Sequence, residues 1–385
     1  MSNLAGGSAA GIVFVVILGA YVLQTELTQY VQSTLQYRQP YLLFYIAHSA
    51  FTVVLPLHLL WLKWSTGNII SSYVQSLWNV MQHQILVRQP STQDDPKFPW
   101  VRYIMFISLI TAGMTCPALL WYASVSLAPV SDVTAIFNTH AFWAYLLSTA
   151  LLPHRDGTSR WQFHNLAAVL LACAGVFATV YGSADADQST GAAATSSMGS
   201  TAFLGNILTL ISAISYALYQ VAYKKYAVPD AYREENYEPL ETDEAETGPR
   251  NTDRNEDRLP FGLFANFITS TAGLATLGAL WVPMAIMHWA GESKFELPPD
   301  RWTTMCVAAI AVSGLTFNAG FMILLSLWGP IVASVGNLLT IVLVMIADVL
   351  VSRSLATITL WSLLGSGLII LGFSILVLEY TIVRQ

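Results

Sequence analysis

Charge is scarce in this sequence. Asp, Glu, Lys and Arg make up 10% of the 385 residues, while 55% are hydrophobic; soluble domains carry about 25% charged residues. The scarcity is also uneven. Eleven of the 23 acids crowd into residues 230–257, and no Lys or Arg lies well inside an apolar run. A water-soluble globule is thereby excluded. Cysteine is nearly absent too, and Cys116, Cys173 and Cys306 fall in apolar runs without metal-like spacing, which points to reduced packing residues.

Catalytic signatures are missing as well. There is no H-E-x-x-H, no G-x-S-x-G and no phosphate-binding glycine loop. The run GSADAD at 182–187 precedes a small-residue loop and does not resemble an intramembrane protease dyad. No enzyme activity, cofactor or metal is expected. The N-terminus lacks a charged n-region, and AAGIVFVVILGAYVLQ has no obvious cleavage site, so it reads as a retained first span.

What remains is a series of apolar stretches of about 20 residues, enough to cross roughly 30 Å of hydrocarbon. Ten spans are predicted, at 9–28, 41–63, 102–124, 128–151, 163–182, 201–225, 260–289, 302–326, 330–352 and 358–380. The fold class is therefore all-α and polytopic. The links SLAP and LWGP force antiparallel hairpins, with Pro129 and Pro330 suited to the first turn of the next helix. Counted by alternate sides, the 17 Lys and Arg divide 13 to 4 in favour of the side holding both termini; cytoplasmic loops carry such an excess, so both termini are predicted cytosolic. Residues 65–100 form a cytosolic loop on this reading. The insert 226–259 is charged and poor in apolar residues, hence disordered. Within it Tyr237 and Leu240 make YEPL, a pattern that sorting adaptors read. The loop 184–200 is small, polar and lumenal.

The two halves resemble each other. NLAAVLLACAGVFATVYG aligns with SLLGSGLIILGFSILVLE without a gap, placing Leu166 on Leu363, Leu171 on Leu368 and Gly175 on Gly372. GIVFVVILGAYVLQ tracks GNILTLISAISYALYQ, and SLAP corresponds to SLWGP. Five spans per half, in 1–183 and 201–385, would reverse the second half in the membrane. That is an inverted-topology repeat, which places a solute site near the midplane.

These features resemble the drug/metabolite transporter superfamily with two EamA-type halves. YRQPYLLFYIAHSAF (37–51), LGNILTLISAISYALY (204–219) and PIVASVGNLLTIVLVMIADVL (330–350) resemble the subfamily F branch of solute carrier family 35, in particular its fungal vacuolar and thiamine-repressible members. The resemblance spans nearly the whole chain outside the inserts 65–100 and 226–259. It implies an alternating-access carrier in an endomembrane, vacuolar or Golgi, with its cavity lined by spans three, four, eight and nine and with spans one and six alongside. It implies no particular solute.

Site candidates come from polar residues in apolar runs. An ionisable group at the bilayer centre costs a few kcal/mol or more, yet SDVTAIFNTHAFWAY keeps Asp132, Asn138 and His140. At 100° per residue Ser131, Thr134 and Asn138 share a stripe, with Asp132, Thr139 and His140 on another side. Ser131 and Asp132 also follow Pro129, where either can cap the helix. Thr134, Asn138, His140, Tyr219, Asn318 and Asn337 are the candidate solute contacts, and Asp132 and Asp348 the candidate coupling groups. Tyr122 and Tyr223, near span ends, read as interfacial anchors. Without a buried Lys or Arg to meet an anionic headgroup, a neutral or cationic solute is expected, with a nucleotide sugar as the alternative. A non-transporting receptor or trafficking factor is the rival class. The expected partners are the solute, the bilayer, a sorting adaptor and a second copy of the chain; nucleic acid is not one.

Overall fold

The computed structural model describes residues 7–86, 100–125, 127–152, 162–187, 198–228, 259–291, 294–352 and 359–382. Thirteen α-helices are formed there, and no strand occurs among the described residues. They are α1 Gly7–Ser33, α2 Pro40–Ser49, α3 Val54–Thr66, α4 Ile70–Leu86, α5 Trp100–Val125, α6 Val130–Asn138, α7 His140–Leu151, α8 Phe163–Asp187, α9 Met198–Ala222, α10 Leu263–Ala279, α11 Trp281–Ala290, α12 Arg301–Ser352 and α13 Leu360–Ile382. Eight continuous stretches are long and apolar enough to cross a bilayer. The chain has the fold of an all-α integral membrane protein.

Several predicted spans are built differently from single straight helices. The 41–63 span is α2 and α3 joined through the 3-10 turn Ala50–Val53, and the 260–289 span is α10 followed by α11. The 128–151 span breaks at Thr139, whose backbone N–H and hydroxyl both turn to the Ile136 carbonyl, at 3.1 and 2.6 Å. Regular helical geometry at 100° per residue therefore does not carry the polar stripe past Asn138. The two spans on either side of LWGP instead run on as α12, bent at Gly329, where φ 79 and ψ 173 lie in territory nearly exclusive to glycine.

Loops shrink accordingly. The 65–100 segment is not simply a loop, because Ile70–Leu86 is the helix α4. The 184–200 loop loses its ends to α8 and α9, and a π-turn at Tyr223–Ala227 continues α9 into the first two residues of the 226–259 insert. Residues 229–258 of that insert, with Tyr237 and Leu240, lie outside the described residues.

Two close helix crossings organise the core. α8 and α13 pack antiparallel through small residues: a Cβ on Gly175 would sit 2.5 Å from the Gly365 carbonyl oxygen and 2.9 Å from Ile369, and one on Gly372 would sit 2.6 Å from the Ala168 oxygen and 3.0 Å from Ala172. Only small residues let two helix backbones approach this closely. α1 packs along α12, where Phe14 lies 5.4 Å from Trp328 and 5.3 Å from Phe373 between ring centroids. On the other side α9 packs against α5 and the α6–α7 pair. Ser212 of α9 donates to the Pro117 carbonyl of α5 at 2.6 Å, and a Cβ on Gly113 would meet Tyr219 at 2.6 Å.

Candidate functional site

Tyr216, Tyr219 and Gln220 of α9, with Tyr223 at the start of the π-turn that continues it, recur at the spacing that puts them on one face. That face turns inward. The ring of Tyr216 stacks with Phe137 of α6 at 5.8 Å and Phe321 of α12 at 6.4 Å, and it meets the edge of His140 of α7 at 5.2 Å. Phe321 leads on to Phe317 and then to Tyr21 of α1, at 5.8 and 5.0 Å. Aromatic rings from both sides of the predicted repeat thus meet around one tyrosine.

Polar atoms in this region are deeply buried. Gln220 is fully inaccessible, and its Oε1 accepts from Ser334 Oγ at 2.5 Å, while its Nε2 has no hydrogen-bond partner. His140 is equally inaccessible and its Nδ1 lies 3.1 Å from the Phe137 carbonyl. A carbonyl only accepts, so Nδ1 carries the proton and Nε2 is a bare acceptor in the neutral ring. That Nε2 has no partner either, nor do the Tyr223 hydroxyl and Asn337 Oδ1. A buried, unsatisfied polar group costs about 1–3 kcal/mol. The four, on α7, α9, its π-turn and α12, include both donors and acceptors left without a partner.

The other predicted residues divide. Tyr219 is buried and its hydroxyl donates to Met322 Sδ at 3.0 Å. The amides of Asn138 and Asn318 turn back to their own helices, donating to Thr134 O at 2.7 Å and Gly314 O at 2.9 Å. Thr134 is half-buried. Asp132 does not cap its helix: Pro129 holds the N-cap position, and no side chain bonds there. Its carboxylate accepts instead from Tyr181 Oη of α8 at 3.0 Å and from Asn206 Nδ2 of α9 at 3.4 Å. The side chain of Asp348 lies outside the described ones.

Two side chains overturn sequence expectations. Tyr223 is fully buried, not an interfacial anchor. Lys224 is only 8% exposed, and its Nζ donates to the Ser326 carbonyl. Pro330 has no N–H to offer the carbonyl four residues before it, so the lysine supplies a donor that the helix cannot. Gln220 and Ser334 were the contacts hardest to foresee, since a bond across 114 residues leaves no local pattern.

Contacts are uneven along the molecule. On the side of the 326–330 turn, the end of α9 reaches α12 through Lys224, and α7 also packs on α12. On the side of the 127–129 turn, α6 packs on α5, α8 and α9, with no comparable packing on α1 or α12 among the described residues.

No family model matches the chain, and no curated protein does. Among the solved structures similar to this chain, one matches over 98% of this chain and 99% of its own, with a TM-score of 0.58 and 14% identity. At that identity the likeness shows a shared fold alone.

Proposed function

We propose that the chain is a secondary transporter that moves a small organic solute by alternating access. The reciprocal crossing of α8 and α13 carries the reading. In the sequence alignment Gly175 pairs with Gly372, Ala168 with Gly365 and Ala172 with Ile369. The contacts Gly175–Gly365 and Gly175–Ile369 are therefore the images of Gly372–Ala168 and Gly372–Ala172. A two-fold axis relating the halves would make contacts exchange in this way. The helices are antiparallel, which fits an axis in the membrane plane and hence inverted halves. Counting α6–α7 as one span and dividing α12 at Gly329 brings the number of spans to ten.

The crosswise packing fits the same scheme. The first span, α1, lies along α12, while its counterpart α9 lies along α5 and α6–α7. The aromatic and amide face of α9 then stands where the halves meet, and no cationic side chain other than Lys224 adjoins it among the residues described above. A neutral or cationic solute suits that lining better than a nucleotide sugar. The assignment to the drug/metabolite transporter superfamily and to an endomembrane rests on the sequence resemblance.

The test is a thermal-shift screen of the purified full chain against vitamins, amines and nucleotide sugars, followed by counterflow of any hit in liposomes. A ligand at about 100 times its Kd adds roughly 2.7 kcal/mol of apparent stability. Counterflow that is lost in Gln220→Leu and kept in a surface variant supports the reading. A hit that binds without counterflow in well-folded proteoliposomes overturns it in favour of a receptor.

A further inference from the structure

The helix α4 joins two membrane-spanning stretches yet is unlike either. Its 17 residues, ISSYVQSLWNVMQHQIL, contain no Asp, Glu, Lys or Arg. At 1.5 Å per residue the described helix is about 25 Å long, and its polar residues suit it poorly to crossing. Tyr73, Leu77 and Met81 recur at four-residue intervals and are buried, with α4 packed on α3. The Tyr73 hydroxyl lies 2.7 Å from Thr66 Oγ1 and accepts from Asn68 Nδ2 at 3.2 Å. These bonds fix the rotation of α4 against the end of α3.

With that rotation fixed, the next stripe around the helix is apolar and partly exposed. Val74 is 48% and Trp78 37% exposed. Beyond them come Ser71, Gln75 and Asn79, polar, uncharged and exposed. Exposed apolar residues also stand on the chain to either side of α4. Trp61, Trp64 and Ile69 are exposed ahead of α4, and Trp100 and Val101 after it; the rings of Trp78 and Trp100 lie 6.1 Å apart. Tryptophan gathers where hydrocarbon meets headgroups.

We propose that α4 lies in the headgroup–acyl boundary of the leaflet at which α3 ends, with Val74 and Trp78 immersed and Gln75 and Asn79 facing water. The partner is the bilayer surface itself. A helix without charge has no electrostatic attraction to anionic lipid, so burial of its apolar stripe holds it there. This goes beyond transport and holds whether or not the chain moves a solute.

The test uses the full chain in a Cys116→Ser background, since Cys173 and Cys306 are buried. Single nitroxide labels are placed through Val74→Cys, Gln75→Cys, Trp78→Cys and Asn79→Cys in phosphatidylcholine proteoliposomes. Collision with dissolved oxygen is compared with collision with a water-soluble nickel chelate. The expected result is oxygen contrast at 74 and 78, nickel contrast at 75 and 79, and no change when phosphatidylserine or salt is added. Nickel contrast at all four positions would leave the stripe in water and overturn the proposal. Labels at 74 and 78 shielded from both reagents would mean a protein cover and would overturn it equally. A contrast that appears only with phosphatidylserine would overturn the hydrophobic hold.

Discussion

Gln220 and Ser334 form a bond whose two ends are not equivalent. Ser334→Ala leaves the Gln220 carbonyl without its donor beside an Nε2 that already lacks a partner, at a cost of about 1–3 kcal/mol. Gln220→Leu removes the whole amide, and the freed serine can turn to its own helix as Ser313 and Ser326 do. Thermal unfolding in detergent should therefore show Ser334→Ala as the more destabilised variant. Asp300 gives a prediction outside the bilayer. Thr303 donates to it from its backbone N–H and its hydroxyl, both at 2.8 Å. These bonds hold the carboxyl below the ordinary value of 3.8. A carboxylate lowered on folding stabilises above its unfolded pKa, and that stability is lost as pH falls through the folded one. Asp300→Asn should therefore lower stability slightly at neutral pH, leave it nearly unchanged well below pH 3.8 where the wild-type carboxyl is protonated, and so flatten the profile between. The Asp300 cap is readable from PPDRWTT; the Asp132 bonds are not, because Tyr181 and Asn206 stand 49 and 74 residues away.

At the scale of the element, α8 and α13 give a direct comparison among glycines. Gly175→Ala pushes a Cβ to 2.5 Å from a carbonyl oxygen, and Gly372→Ala to 2.6 Å. Backbone cannot step aside as a flexible side chain does, so each should lose about 1–3 kcal/mol. Gly367, on the same helix α13, has nothing within 4 Å of such a Cβ, and its alanine variant should be unchanged or slightly stabilised by helix propensity. Melting temperatures of the three variants decide it. The gapless alignment through Gly175 and Gly372 made these positions visible in the sequence. The breaks at Thr139 and Gly329 were less visible, because hydropathy integrates over a span and is blind to its backbone. α4 was missed for a related reason: a search for runs of about 20 apolar residues passes over a helix that alternates apolar and polar faces.

For the whole molecule, the contacts close one side more than the other. Lys224 holds the Ser326 carbonyl beside the bend at Gly329 and Pro330, while α7 rests on α12. No comparable contact ties α6 to α12 among the described residues. On the alternating-access reading proposed above, this would be the arrangement with its closed end at the 326–330 turn, and the lysine would be part of what keeps it shut. Lys224→Met retains most of the apolar stem but leaves the Ser326 carbonyl without that ammonium donor, and Pro330 cannot replace it. The variant should populate the alternative arrangement more. Hydrogen exchange in proteoliposomes should then rise across 219–228 and 322–332 and stay level across α8 and α13, whose mutual crossing does not involve the lysine. A uniform rise throughout the chain would instead mark Lys224 as a general stabiliser. A solute that binds the arrangement closed at this end should reverse the local rise, because a ligand shifts a two-state equilibrium only by its difference in affinity for the two states.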